Sequence, residues 1–231
     1  MRLAHHVLSF ALLGSPLAAQ QVVPMYEEPR HHLRLTTETV RVVEVQIPPG
    51  DTTLFHRHDT PALYIAIAVA PTNAQHLGGP WGPGRAGDDP GWQAGDVDID
   101  SGYATVPVEH RVTNLGPALF HLLALARTAA AAPPPGPASD DGLPGHVEQR
   151  STWFRSSRVV LAAGDRTGWM VPSRPLVLVQ PLGGRADIER AGDTTVPLVT
   201  PGSWQYLPAG TRYRLGNPGT AATAIVAVRI E

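Results

Sequence analysis

The stretch Arg41-Val42-Val43-Glu44-Val45-Gln46-Ile47, followed by Pro48-Pro49-Gly50-Asp51, decides the fold class. Val43, Val45 and Ile47 share one parity while Glu44 and Gln46 take the other. That is the period of a half-buried strand, because successive side chains of extended chain alternate between faces. Pro-Pro-Gly-Asp then reads as a turn. Working outward, residues 63–69, 118–126, 159–162, 176–180 and 224–230 carry apolar runs of strand length. Beyond the N-terminal segment no stretch shows a helical period. The 23 glycines and 24 prolines among 231 residues disfavour long helices, since both break them. The chain is expected to be all-β.

Upstream, Arg2 and two histidines precede the apolar run Val7-Leu8-Ser9-Phe10-Ala11-Leu12-Leu13, then Gly14 and Pro16, then Ala18 and Ala19. This order matches a secretory signal peptide over residues 1–20, cut near Ala19 or Gln20. The run is too short to span a bilayer, which takes about 20 apolar residues, so no stable membrane insertion is expected. The mature protein is expected in a periplasm or outside the cell. Cysteine is absent, which removes thiolate nucleophiles, disulfides and cysteine-held metals. All 18 basic residues are arginine, which removes lysine Schiff-base chemistry. A formal charge of −2 leaves no electrostatic footprint for nucleic acid.

Downstream, the Ala- and Pro-rich run from Ala129 to Gly145 cannot build a core and reads as an extended spacer. It divides the chain into a first unit (21–128), a linker (129–147) and a second unit (148–231). The two units echo one another. Arg41-Val42-Val43 leading to Gly50-Asp51 parallels Arg158-Val159-Val160 leading to Gly164-Asp165, and His110 to Asn114 parallels Tyr213 to Asn217. Such echoes point to the internal duplication of one barrel.

The chemistry-bearing pattern is His56-Arg57-His58. In extended chain both imidazoles point the same way, and a third from a distant strand would give three ligands on one face of a divalent ion. His110 is the natural third, since it follows a turn-like segment and precedes a further strand. Arg57, Asp59 and Glu109 have the opposite parity and should face away from the ion, Arg57 pairing with an acidic neighbour. Residues 71–92, rich in Gly, Pro and Asp, could lie across a barrel mouth, with Gln75 and His76 at the start and Trp81 and Trp92 lining a pocket. His31 and His32 are expected at the surface, unless an N-terminal arm carries one to the barrel. His121 reads as a hydrogen-bonded core histidine.

Gly50-x5-His56-x-His58 followed by Pro107-x2-His110-x3-Asn114 resembles the two motifs of the cupin superfamily. Gly202-x5-Pro208-x-Gly210-x2-Tyr213-x3-Asn217 resembles the second motif again. The resemblance implies two cupin β-barrels (double-stranded β-helix or jelly roll), the first holding a metal on His56, His58 and His110. It also makes Tyr64, Gln75, His76, Glu109 and Asn114 candidates for the pocket or the groups supporting the ligands. Met170 and Pro172 fall where the second His-x-His pair would be, and Tyr213 where its last histidine would be. The second barrel is therefore expected to have lost its metal site.

One departure has a chemical consequence. The motif's usual glutamate ligand would stand at Ala62 or Leu63, so three neutral imidazoles would leave a divalent ion its full charge. Such a centre favours anionic ligands and keeps open coordination positions. By resemblance to all-histidine cupin enzymes such as thiol and diketone dioxygenases, oxygen-dependent oxidation of a small anionic organic molecule is the leading reading. Iron, copper, zinc, manganese and nickel all accept imidazole, and the ligand set does not choose among them. A non-catalytic ligand-binding bicupin and a structural one, dimerising through edge strands, are the alternatives.

Overall fold

A computed structural model describes residues 21–82, 91–129, 142–192 and 194–231. The expected signal segment and most of the linker lie outside the described residues. Among those described, the chain folds into strands, turns and two short 3-10 turns, with no α-helix.

The strands form four sheets stacked as two barrels. In the first barrel β1 (Val22–Pro24), β4 (Phe55–His58), β8 (Val108–Asn114) and β6 (Thr72–His76) form one sheet, in the order β1-β4-β8-β6. The facing sheet runs β2 (His31–Thr36), β3 (Val40–Ile47), β9 (Phe120–Arg127), β5 (Ala62–Ala68) and β7 (Val97–Asp100). In the second barrel β10 (His146–Arg150), β11 (Phe154–Leu161), β17 (Thr223–Ile230), β12 (Leu176–Gln180) and β15 (Ser203–Leu207) form the larger sheet. The smaller sheet is β14 (Thr194–Leu198), β13 (Ala186–Arg190) and β16 (Tyr213–Gly216).

The two larger sheets pack back to back, so each is buried on both faces. From β5, Ala62 and Ala66 look into the first barrel, with Tyr64 packed beside them, while Leu63, Ile65 and Ile67 look at the second barrel. Val177, Val179, Val226 and Val228 answer from the other side, and Leu176, Leu178, Ile225 and Ala227 fill the second barrel. Two-face burial explains why these strands read as unbroken apolar runs. It also corrects the half-buried reading of β3, because Val40 and Val42 are buried in the contact between the barrels. Polar links reinforce it: Arg127 Nη1 donates to the Glu231 carbonyl and Arg158 Nη2 to the Gly95 carbonyl, both at 2.6 Å.

The duplication is visible bond by bond. Gly50 N donates to Asn114 O, and Gly164 N to Asn217 O; Thr53 N donates to Val112 O, and Thr167 N to Leu215 O. The threonine hydroxyls repeat the pattern, Thr53 Oγ1 accepting from Val112 N and Thr167 Oγ1 from Leu215 N. Asn114 Nδ2 donates to the carbonyls of Ile47 and Ala118, and its Oδ1 accepts from Gly116 N. Asn217 does the same with Leu161, Ala162, Ala221 and Gly219 N. Each buried asparagine ties the end of one strand to the turn that follows the asparagine itself. Asn114 is thus a brace of the fold and no part of a ligand pocket.

The alignment of hydrogen bonds pairs Met170 with His56 and Tyr213 with His110. Where His56 pairs with His110 across β4 and β8, Met170 bridges to Tyr213. Met170 and Tyr213 are buried in the apolar core of the second barrel. The cavity beside Tyr213 holds about 30 Å³, room for a water molecule or so. Replacing Asn217 by Ala should leave buried carbonyls unpaired. Urea unfolding should report a loss of roughly 1–3 kcal/mol, with Asn114→Ala matching it.

Candidate metal centre

The site is built on one pairing register. In β4, His56 and His58 share the inner face because one residue separates them, and the antiparallel register sets His110 of β8 directly opposite His56. Candidate ligand atoms of the three lie within 4.8 Å of one another. His56 and His58 are buried at 1% and 6% exposure. The three rings meet edge to face, with centroids 4.7–5.0 Å apart.

The hydrogen bonds set the tautomers. His56 Nδ1 sits 3.0 Å from the carbonyl of Leu54 and must be its donor, which leaves Nε2 with a lone pair. His58 Nδ1 lies 3.1 Å from the Tyr64 hydroxyl. Tyr64 and Tyr103 are electrostatic neighbours, as are Tyr103 and the Asp100 carboxylate. His58 Nδ1–H donating to the Tyr64 hydroxyl leaves Nε2 of His58 with its lone pair. Tyr103 also lies over the His58 ring, centroids 4.8 Å apart. Burial pushes the Tyr64 hydroxyl well above its usual range and, with the Asp100 charge, Tyr103 up to about 12. Both therefore stay protonated and able to donate.

His58 Nε2 and His110 Nε2 are 3.1 Å apart. Neutral rings at that separation share one Nε2–H···Nε2 hydrogen bond, and a bound cation would take the place of that proton. Metal–imidazole bonds of 2.0–2.1 Å separate ligand nitrogens by about 2.9 Å at right angles and about 3.4 Å in a tetrahedron. The His58–His110 spacing lies between those values and the third donor atom lies within 4.8 Å of both, so the donor set suits a small divalent ion after a modest closure of the trio. Burial, then the neighbouring imidazoles, lower the pKa of His56 and His110 to about 3 and that of His58 well below its ordinary value. All three are neutral at pH 7, the form that binds metal.

The other expected residues divide cleanly. Tyr64 supports His58. Glu109 and Arg57 face outward and pair at 2.9 Å, as strand parity required, with Asp59 3.7 Å from the same guanidinium. Gln75 pairs with Arg111 across β6 and β8, Arg111 Nε donating to its Oε1 at 2.7 Å, so it stands on the outer face away from the histidines. His76 lies opposite His110 on the same face, with ring centroids 6.2 Å apart, exposed at the rim. Residues 72–76 are thus a strand of the barrel wall and no lid. Trp81 stacks on Arg111 outside, whereas Trp92 packs near Tyr64, centroids 6.3 Å apart. Residues 83–90 lie outside the described residues. His121 Nε2 approaches Glu44 Oε1 at 2.9 Å without hydrogen-bond alignment, a contact between the neighbouring strands β9 and β3 of the first barrel.

His31 corrects the reading of a surface residue. It is buried at 6% exposure, with its ring 4.5 Å from that of His56. The N-terminal arm carries it there: β1 runs parallel to β4, with Val23 opposite His56, and the chain then crosses to join β3 as β2. Glu28, 1% exposed, fixes the crossing by accepting from Leu54 N and Arg30 N, and Arg30 clamps Asp51 with two bonds. Nothing in the residues around Pro29-Arg30 announces this path. Tyr103, in a 3-10 turn after β7, was equally invisible, since only the fold brings it to His58.

Solved structures with the same architecture come from several bacteria. AerE from Microcystis aeruginosa is 14% identical, with 88% of this chain and 98% of that one aligned at a TM-score of 0.56. A cupin 2 conserved barrel domain protein from Leptotrichia buccalis is 8% identical over 87% and 88%, TM-score 0.55. The fold is that of a two-barrel cupin. A salicylate 1,2-dioxygenase from Pseudaminobacter salicylatoxidans shares it at 11% identity over 84% and 72%, TM-score 0.57. No protein-family model and no curated protein matches the sequence.

The low pKa values give the metal-free bicupin a defined acid response. An unfolded histidine takes up a proton near pH 6.5, while His56 and His110 resist until about pH 3. The unfolded state therefore binds more protons across that window, and stability falls as pH falls through it. Denaturant midpoints of metal-stripped protein should drop steadily from pH 6.5 towards 4. The His56→Phe, His110→Phe double variant should show a shallower slope.

Proposed function

We propose that the chain is an exported bicupin whose first barrel holds one divalent metal ion on His56, His58 and His110 and oxidises a small organic anion with dioxygen. The observation that carries it is the convergence of three neutral, buried imidazoles whose Nδ1 atoms, in His56 and His58, are already committed elsewhere. Iron, copper, zinc, manganese and nickel are all compatible with imidazole donors, and the oxidative reading narrows the choice to a redox-active one. Such an ion, when bound, supplies Lewis acidity and a route to dioxygen activation.

The protein's own residues do the rest. His56, His58 and His110 bind the ion, Leu54 O and Tyr64 hold two of the rings in the ligating tautomer, and Tyr103 braces His58. Ala62 stands on the inner wall where the family motif would place a glutamate. With no carboxylate there, the charge of the ion is left for the substrate to neutralise, which favours a carboxylate, an enolate or a phenolate. The small side chains of Ala62, Ala66, Ala124 and Ala126 line the wall, and Tyr64, Tyr103 and Trp92 flank it, an apolar enclosure that strengthens every electrostatic contact inside. The name of the salicylate 1,2-dioxygenase, a small aromatic carboxylate in its substrate, is in keeping with this charge preference.

The test begins with elemental analysis of the purified protein. About one equivalent of metal is expected, lost in the His56→Ala, His58→Ala variant and kept in Tyr213→Ala. Oxygen uptake should then be seen with a panel of small carboxylic acids and enols and should vanish in the same double variant. Metal without oxygen uptake would make the protein a binding cupin, and no metal after incubation with all five ions would overturn the site. Tyr64→Phe should weaken metal binding by about 10–100-fold, the usual cost of losing a group that orients a ligating histidine. Export is checked separately, by a mature N-terminus at Gln20 or Gln21 in mass spectra of the periplasmic fraction.

A further inference from the structure

Building on the metal reading of the first barrel, we infer that His31, delivered by the N-terminal arm, is a fourth protein ligand of the ion held by His56, His58 and His110. The residue lies outside both motif segments, on β2, and nothing in its sequence neighbourhood marks it. Three observations single it out.

The first is its relation to the other rings. His31 and His56 stand 4.5 Å apart at 71°, and the trio stand 4.7–5.0 Å apart at 61–88°. His31 therefore extends the cluster with the spacing and inclination the three ligands have among themselves. The second is its tautomer. His31 Nδ1 lies 2.6 Å from the carbonyl of Met25 and donates to it, as His56 Nδ1 donates to Leu54 O. A ring nitrogen bonded to a backbone carbonyl is the usual support of a metal-ligating histidine, since it fixes the ring and leaves the other nitrogen basic. Among the described residues Nε2 makes no hydrogen bond, and the Glu28 carboxylate stands 3.9 Å away. With Nδ1 carrying the proton, Nε2 keeps a lone pair free for a cation.

The third observation is how firmly the arm is held. A residue at random on an N-terminal extension would not be expected beneath a buried carboxylate. Here Glu28 accepts from the backbone of Leu54, two residues before His56, and Arg30 bridges Glu28 to Asp51 in the turn after β3. The latch thus joins the residues just before His31 to the segment that leads into the first two ligands. It also makes the arm a part of the site, so a centre lacking the motif's glutamate would recover a fourth ligand from elsewhere in the chain. In the metal-free fold His31 stands outside the trio whose ligand atoms cluster within 4.8 Å. Binding must therefore draw its ring inward.

The experiment is a crystal structure of the full-length mature protein loaded with Co(II), together with Co(II) titrations of wild type, His31→Phe and the His56→Ala, His58→Ala variant. The inference expects His31 Nε2 within about 2.0–2.2 Å of the ion. It also expects Co(II) affinity to fall at least tenfold in His31→Phe, with a changed visible absorption that added imidazole restores. An ion bound by the trio with His31 Nε2 beyond 3 Å, or a His31→Phe spectrum and affinity equal to wild type, overturns the inference and leaves the three-histidine reading standing. Should His31→Phe fail to fold, the wild-type structure decides alone. A protein that takes up no Co(II), or a double variant that binds as wild type does, overturns the three-histidine reading and this inference with it.

Discussion

The register between β4 and β8 is the constraint on which the site depends. One pairing, His56 opposite His110, fixes which side chains of two distant segments share the barrel interior. A slip of one residue would leave His56 and His58 on the face opposite His110, with Glu109 or Arg111 beside them. That slip is blocked from several directions. Arg57 and Glu109 pair across the outer face, and Thr53 and Asn114 pin the ends of the hairpin through buried backbone bonds. The hydrogen bonds of two of the histidines follow from the same register, because it sets His56 by Leu54 O and His58 within reach of Tyr64.

The second barrel shows what the same scaffold does without ligands. Its turn, its threonine and its asparagine repeat the bonds of the first, so backbone geometry at the ligand positions is preserved. Met170 and Tyr213 then occupy the places of His56 and His110 and close the interior with apolar packing. A buried methionine and tyrosine gain burial energy where buried imidazoles would need partners. The second barrel can thus be read as the supporting half of the molecule. Its larger sheet covers the outer face of β3, β5 and β9, which carry the floor of the first site on their inner face.

Much of this was legible in the residues. The alternation in β3 and the apolar runs at 63–69, 176–180 and 224–230 gave the strands, because side-chain period is a local property of extended chain. His56-Arg57-His58 was legible for the same reason, and so was the outward turn of Glu109 and Arg57. Gln75 and Asn114 were misplaced because residue type said nothing of which face or which brace they would serve. The strand at 72–76 was missed since Thr-Asn-Ala-Gln-His has no apolar alternation and is held by pairing with β8 alone.

The sequence by itself determined the strand content, the duplication and the pair of histidines, all of which rest on spacing along one stretch of chain. Only the tertiary structure decided that His110 stands directly opposite His56, that the N-terminal arm brings His31 beside it, that Tyr103 lies over the His58 ring, and that the two barrels share a double-faced core. Those facts depend on contacts between segments dozens of residues apart. A path such as that of the N-terminal arm, crossing from β4 to β3 under the latch of Glu28 and Arg30, is fixed by packing and by backbone hydrogen bonds that leave no periodic mark on the chain.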